Sequence, residues 1–169
     1  MHAEYNAHSI GNSYSSLFTL HYSLFTLKTM TIGQRNNNPL NIRRVKGQKW
    51  KGEAPFPPPL EGTGEATGPF VHFSSLTYGL RAAFCILRTY RNKHHAVCIE
   101  DIITRWAPPT ENDTHKYILD VCKLTGFGGK ERLTENNWPQ LVKAMARIES
   151  GMNLTEKQIQ QAFQLYKQP

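Results

Sequence analysis

The sequence predicts a mainly α-helical domain of the α+β class, with about five helices around one core and one small irregular β-hairpin lobe. Three observations predict it. Apolar residues recur at three-to-four spacing in five segments after residue 75. A length of 169 residues suits one core. Residues 45–73 instead carry frequent glycine and proline and end in an apolar stretch, which is typical of loops and a short hairpin.

End signals support three of the five helices. Pro108 and Pro109 stop the second helix, because proline disfavours a helical residue before it. Gly126 ends the third helix, and Thr155 with Gln158 forms a capping box that starts the last one. The expected helices cover about residues 76–93, 99–106, 114–125 and 137–150, and a last one runs from the Thr155 cap through Tyr166.

Residues 1–29 differ from the rest of the chain. They contain a near-repeat, residues 16–20 and 23–27, and few charges. They lack the basic start, unbroken apolar stretch and cleavage site of a secretory signal. We interpret residues 1–29 as a disordered extension and residues 30–169 as the domain, with Met30 as an alternative start. The protein is therefore expected to be cytoplasmic as synthesised.

The composition limits the classes of partner. Lys and Arg outnumber Asp and Glu by 20 to 13, a net charge of +7 that attracts nucleic acid, anionic lipid or acidic envelope polymers. The basic residues are scattered apart from a cluster from Arg43 to Lys51. No reading helix or aromatic RNA platform stands out, which disfavours specific nucleic-acid binding. No apolar run approaches the roughly 20 residues of a membrane helix, so no membrane partner is expected.

Cysteine and histidine spacing points to no cofactor. Three cysteines without close pairs argue against a disulfide framework. The seven histidines show no metal-ligand spacing with cysteine or carboxylates. We expect neither a metal nor an organic cofactor.

Glu149 is the carboxylate that stands out. It occupies the last turn of a predicted helix, and Val142 and Met145 share its side. Apolar neighbours and the negative end of the helix dipole both disfavour the charged form. A protonated acid is what glycosidic bond cleavage needs, because the leaving oxygen must receive a proton. The alternative is an exposed glutamate without function.

The string Ile148-Glu-Ser-Gly151 resembles the catalytic Glu-Ser signature of soluble lytic transglycosylases, goose-type lysozymes and flagellar-type N-acetylglucosaminidases. Three further segments are similar to motifs of this lysozyme-like superfamily. Residues 38–43 with Trp50-Lys-Gly52 resemble the Asn-Leu-Phe-Gly-Ile-Lys segment and the following Trp-x-Gly of the glucosaminidases. Residues 78–90 resemble the next family helix, and residues 114–121 the Thr-x-x-Tyr-Val-x-x-Val helix.

The order of the motifs departs from those enzymes. There the Glu-Ser helix comes first, whereas here it follows the other motifs. A circular permutation gives this pattern, and it is tolerated where the old termini lie close together. The arrangement also resembles lysozyme-like structural proteins of phage and prophage virions.

The resemblance implies a lysozyme-like fold and assigns roles to individual residues. Glu149 would be the general acid, Tyr117 would contact it, and Trp106 would support the cleft. Asn41 would face the sugar N-acetyl group, and Arg43, at the end of the same segment, would also bind the substrate. Trp106, Tyr117 and Asn41 each also have a purely structural alternative: a tryptophan that packs the corner, a buried tyrosine and a turn-closing asparagine. Trp50 is expected to stack on a sugar ring.

The reaction type stays open at this point. Glycoside hydrolases use a second carboxylate, for which Glu53 is the first candidate beside Glu61, Glu65 and Glu111. Lytic transglycosylases need no such partner. We therefore expect a muramidase, glucosaminidase or lytic transglycosylase acting on peptidoglycan glycan strands and reaching the wall through a virion, a holin or lysis. The alternative is a non-catalytic virion or tail protein that binds glycan and other virion proteins.

Overall fold

Six α-helices and a short 3-10 helix form most of the described chain, which confirms the mainly α prediction. The computed structural model describes residues 30–55 and 69–168. The helices are α1 (Ile32–Arg35), α2 (Leu76–His94), α3 (Ile99–Trp106), α4 (Thr114–Thr125), α5 (Trp138–Ser150) and α6 (Glu156–Lys167). The 3-10 helix, Glu135–Asn137, leads directly into α5. None of these helices combines the length and the apolar character needed to cross a bilayer.

The five long helices lie close to the ranges predicted from the sequence. Helix α1 was not predicted. Thr31 caps α1 through a capping box with Gln34, a signal too local to separate four helical residues from a turn. The disordered extension expected for residues 1–29 lies outside the described residues. From Thr31 onwards the described residues form one unit.

Helix α5 runs through the core. Leu141, Val142 and Met145 are fully buried on it, and α5 contacts α1, α2, α4 and α6. The broadest helix–helix contact joins α2 to α6, where the ring of Phe84 lies 5.1 Å from Phe163 and 5.7 Å from Tyr166, centroid to centroid. Tilted aromatic pairs at this distance add to the apolar area that they bury. The core therefore holds α5 from several sides and fixes where its last residues lie.

The expected β-hairpin is reduced to two isolated antiparallel pairings, Arg43 with Phe70 and Glu53 with Phe73. Besides a few backbone bonds, such as that from the Val71 N–H to the Ile42 carbonyl at 2.8 Å, an asparagine side chain joins the two segments. The buried Asn38 amide donates to the carbonyls of Ile42 and Val71, both at 2.9 Å, and its oxygen accepts from the Ile42 N–H at 2.8 Å. These bonds tie the segment after α1 to the segment before α2. We call the described residues 36–55 and 69–73 the lobe.

Glycine lets the lobe approach α2. A Cβ atom added to Gly79 would lie 1.9 Å from the backbone oxygen of Asn37, far inside van der Waals contact. Any larger residue at position 79 would push the lobe away from the helix.

We expect Asn38→Ala to lower the free energy of unfolding by about 2 kcal/mol or more. The change leaves the buried Ile42 N–H and Val71 carbonyl without partners, and each costs about 1–3 kcal/mol. The Ile42 carbonyl keeps its bond from the Val71 N–H. Denaturant titration followed by circular dichroism measures the loss. Asn92→Ala, at an exposed position of α2, is the matched control and should change stability by less than about 0.5 kcal/mol. Equal stability of the two variants would contradict the role assigned to Asn38.

Candidate active site

A groove of about 600 Å³ is lined by the lobe, α2, the α3–α4 corner and the end of α5. Its lobe residues include Asn41, Arg43 and Trp50. Its helical residues include Tyr90, Trp106 and Glu149. The groove therefore brings together residues that are more than a hundred positions apart in the chain.

Glu149 accepts hydrogen bonds from three side chains. Its Oε1 accepts from the Tyr117 hydroxyl at 3.0 Å and from the Trp106 indole N–H at 3.2 Å. Its Oε2 accepts from the Asn41 amide at 3.2 Å. The three donors hold the carboxylate in one orientation at the groove. The apolar neighbours expected from the sequence, Val142 and Met145, lie in the core instead, and polar donors surround the acid.

The corner between α3 and α4 sets the positions of two of these donors. Trp106 is the last residue of α3, which ends before Pro108 and Pro109. Tyr117 lies in the first turn of α4, which Asp113 caps by accepting from the Lys116 N–H. The buried Thr114 hydroxyl donates to the Ala107 carbonyl and so ties the start of α4 to the end of α3.

Asn41 holds the end of α5 rather than only facing the groove. Its backbone has φ = 50°, a left-handed conformation that asparagine tolerates better than most residues. Its Nδ2 donates to the main-chain oxygen of Glu149 as well as to Oε2, both at 3.2 Å. Gly33 makes this approach possible, because a Cβ there would lie 2.9 Å from both Asn41 Oδ1 and Ser150 Cβ.

Tyr117 is a donor to the carboxylate. Only 9% of its surface is exposed. Burial, reinforced by the neighbouring Glu149 carboxylate, raises the pKa of Tyr117 far above its usual range. The raised pKa favours the protonated hydroxyl, which can donate to Glu149 Oε1. The Trp106 indole N–H is a donor only.

The first candidate for a second carboxylate is not in the groove. Glu53 turns back on its own loop, where its Oε2 accepts from the Trp50 N–H at 3.1 Å. Glu111 lines the groove instead and pairs with Arg43 at 3.4 Å. Glu61 and Glu65 lie outside the described residues. Sequence proximity to Trp50 favoured Glu53, but the tight turn that includes both residues points its carboxylate at the backbone.

The other residues expected at the site also line the groove. Arg43 and Trp50 lie on the lobe side, and Trp50 is partly buried. Tyr90 was not predicted as a site residue, yet it lines the groove with its ring edge-on to Trp106, 6.3 Å between centroids. The signal available in the sequence was a tyrosine at helical spacing from the apolar residues of α2. Within the described ranges, no group of three or more His, Cys, Asp or Glu residues is placed to hold a metal ion.

Comparison with known proteins gives one informative relative. No protein-family model matches the sequence. Protein P5 of Pseudoalteromonas phage PM2 is 39% identical over 135 residues, which cover 78% of this chain and 79% of the relative. Identity at this level over most of both proteins shows common descent. The chain belongs to the family of the phage PM2 Protein P5.

Proposed function

We propose that this protein cleaves the glycan strand of bacterial peptidoglycan with Glu149 as the general acid. The observation that carries the proposal is the convergence of Asn41, Trp106 and Tyr117 on that carboxylate at the wall of a groove. The lysozyme-like sequence motifs had assigned these same four residues to one site. The phage origin of the relative also fits, because a phage must breach the cell wall on entry and at release.

The proposed chemistry uses the hydrogen bonds to position the acid. A glycosidic bond breaks when its leaving oxygen receives a proton while positive charge develops on the sugar ring. Glu149 gives up that proton and becomes a carboxylate. Tyr117, Trp106 and Asn41 stabilise the negative charge as it appears, because charge-assisted hydrogen bonds are about twice as strong as neutral ones. Trp50 offers an aromatic face to a sugar ring.

The products identify which glycosidic bond is cleaved and whether the reaction is hydrolysis or transglycosylation. An anhydro end marks lytic transglycosylation, whereas a reducing muramic acid or a reducing glucosamine marks hydrolysis at one bond or the other. Glu111 takes over from Glu53 as the candidate second carboxylate for hydrolysis, because it lines the groove. Mass spectrometry of the released muropeptides distinguishes the three reactions.

A glycan-binding phage structural protein without catalysis is the second candidate. The observation that favours it is that both oxygens of Glu149 already accept hydrogen bonds, an arrangement that also suits a purely structural carboxylate. This candidate predicts that purified peptidoglycan retains the protein in a pull-down and that no muropeptide is released.

Glu149→Gln should lower the rate of muropeptide release by at least about 100-fold, because an amide cannot supply the proton and general acid catalysis contributes roughly 10²–10⁴-fold. Chromatography of digested peptidoglycan measures the rate. Glu131→Gln, an exposed glutamate that does not line the groove, is the control and should keep full activity. Equal rates for wild type and Glu149→Gln would remove Glu149 from the mechanism.

Tyr117→Phe should lower the turnover number by roughly 10- to 100-fold, as expected for a lost hydrogen bond of about 1.5–3 kcal/mol to a charged group. Tyr166→Phe is a closely matched control. It also removes a tyrosine–glutamate hydrogen bond, from Tyr166 to Glu135 at 3.2 Å, but outside the groove. We expect that variant to lose stability without losing turnover. Similar turnover losses in both would mean that Tyr117 acts only through stability.

A further inference from the structure

The loop from Arg43 to Lys51 carries the densest positive charge in the described chain. Five of its nine residues are basic, none is acidic, and all five are exposed; they are Arg43, Arg44, Lys46, Lys49 and Lys51. We call this segment the basic loop. Exposed cations at this density attract polyanions over about a Debye length, roughly 8–10 Å at physiological salt.

The described residues do not neutralise the lysines of the basic loop. Arg43 pairs with Glu111, and the Arg44 Nε donates to the Phe70 carbonyl at 3.3 Å. Lys46, Lys49 and Lys51 form no ion pair with the described residues. Glu53, the next acidic residue along the chain, uses its carboxylate on the Trp50 N–H. Within the described part of the chain, three ammonium groups are therefore available to an external anion.

The basic loop is one edge of the groove. Arg43, Val45, Gln48 and Trp50 line the groove, and the three lysines alternate with them along the chain. The three lysines do not line the groove themselves and lie exposed next to the lining residues along the chain, where they would meet groups that project from a molecule bound against Trp50.

Both ends of the basic loop are anchored. Arg43 pairs with Phe70 across the lobe. At the other end Gly52, with φ = 79°, lies against the ring of Tyr78, and a Cβ at Gly52 would be 2.1 Å from that ring. The charges are thus presented at a defined place beside the groove.

We propose that the basic loop binds the carboxylates that project from a peptidoglycan strand, namely those of its stem peptides, and so selects anionic glycan over neutral glycan. This inference rests on the proposed function, since it places a glycan strand in the groove. A sugar chain seated there exposes its substituents at the groove edge. Ammonium groups attract such carboxylates without needing the fixed fork geometry of arginine.

The test measures binding in a Glu149→Gln background, so that no strand is cut during the experiment. The variant Lys46→Gln/Lys49→Gln/Lys51→Gln is compared with Lys123→Gln/Lys130→Gln/Lys157→Gln, which changes the net charge equally at exposed positions outside the groove. The probes are soluble peptidoglycan strands with stem peptides and N-acetylglucosamine oligomers, which carry no carboxylate. Phosphatidylglycerol vesicles and duplex DNA serve as two further polyanionic probes. Thermal unfolding verifies that both triple variants fold.

We expect the loop variant to bind peptidoglycan strands roughly tenfold more weakly, as three exposed ionic contacts allow. Its affinity for the neutral oligomer should be unchanged, and the control variant should change by less than about twofold on both probes. Equal losses in the two triple variants would overturn the proposal, because the effect would then be one of net charge. A loop variant that loses affinity only for phosphatidylglycerol vesicles or duplex DNA would overturn it in favour of another polyanion.

The outcomes also separate this proposal from the proposed function. A parent chain that binds neither glycan would reject both. A parent chain that binds both glycans equally, with no effect of the loop substitutions, would reject the role of the basic loop and leave glycan cleavage by Glu149 standing.

Discussion

Hydrogen bonds from the buried Asn38 amide reinforce the few backbone bonds that join the two segments of the lobe. The side chain bonds the N–H and carbonyl of Ile42 and also reaches the Val71 carbonyl, while the Val71 N–H donates to the Ile42 carbonyl at 2.8 Å. Backbone groups that are buried without partners are costly, so a lobe with so little regular strand pairing depends on such side-chain bonds. The same bonds fix the turn that carries Asn41 to the end of α5, where Asn41 lines the groove.

Tertiary structure, and not any single segment, assembles the candidate site. The donors to Glu149 lie 32, 43 and 108 positions away from it along the chain. Helix α5 supplies the acid from the core, the proline corner supplies Trp106 and Tyr117, and the lobe supplies Asn41. A carboxylate held by three donors from two separate parts of the fold has little freedom to rotate, which is the preorganisation that catalytic groups require. The proposed activity therefore depends on packing between elements that are remote in sequence.

The helices were predictable because their signals are local. Pro108 ends α3, Gly126 ends α4, and Thr155 caps α6, each through chemistry confined to a few residues. The lobe was less predictable, since its path depends on the buried Asn38 amide and on the close approach of Gly79 to the backbone of Asn37. Neither contact has a signature in the linear sequence.

The candidate site was likewise predictable only in part. Asn41, Trp106, Tyr117 and Glu149 were named from motif resemblance, which carries information about tertiary neighbours that periodicity lacks. The choice between Glu53 and Glu111 required the course of the lobe, and adjacency to Trp50 in sequence was misleading because a tight turn directs the Glu53 side chain at the backbone.

The uneven sharing of donors between the two oxygens of Glu149 has a stereochemical consequence. Each carboxylate oxygen offers two lone pairs. Oε1 uses both, on Tyr117 and Trp106, whereas Oε2 uses one, on Asn41, so far as the described residues go. The acidic proton of Glu149 therefore fits on the vacant lone pair of Oε2 without displacing a hydrogen-bond donor. In the proposed reaction Oε2 would face the sugar. The direction of its vacant lone pair would then decide from which side the glycosidic oxygen is protonated.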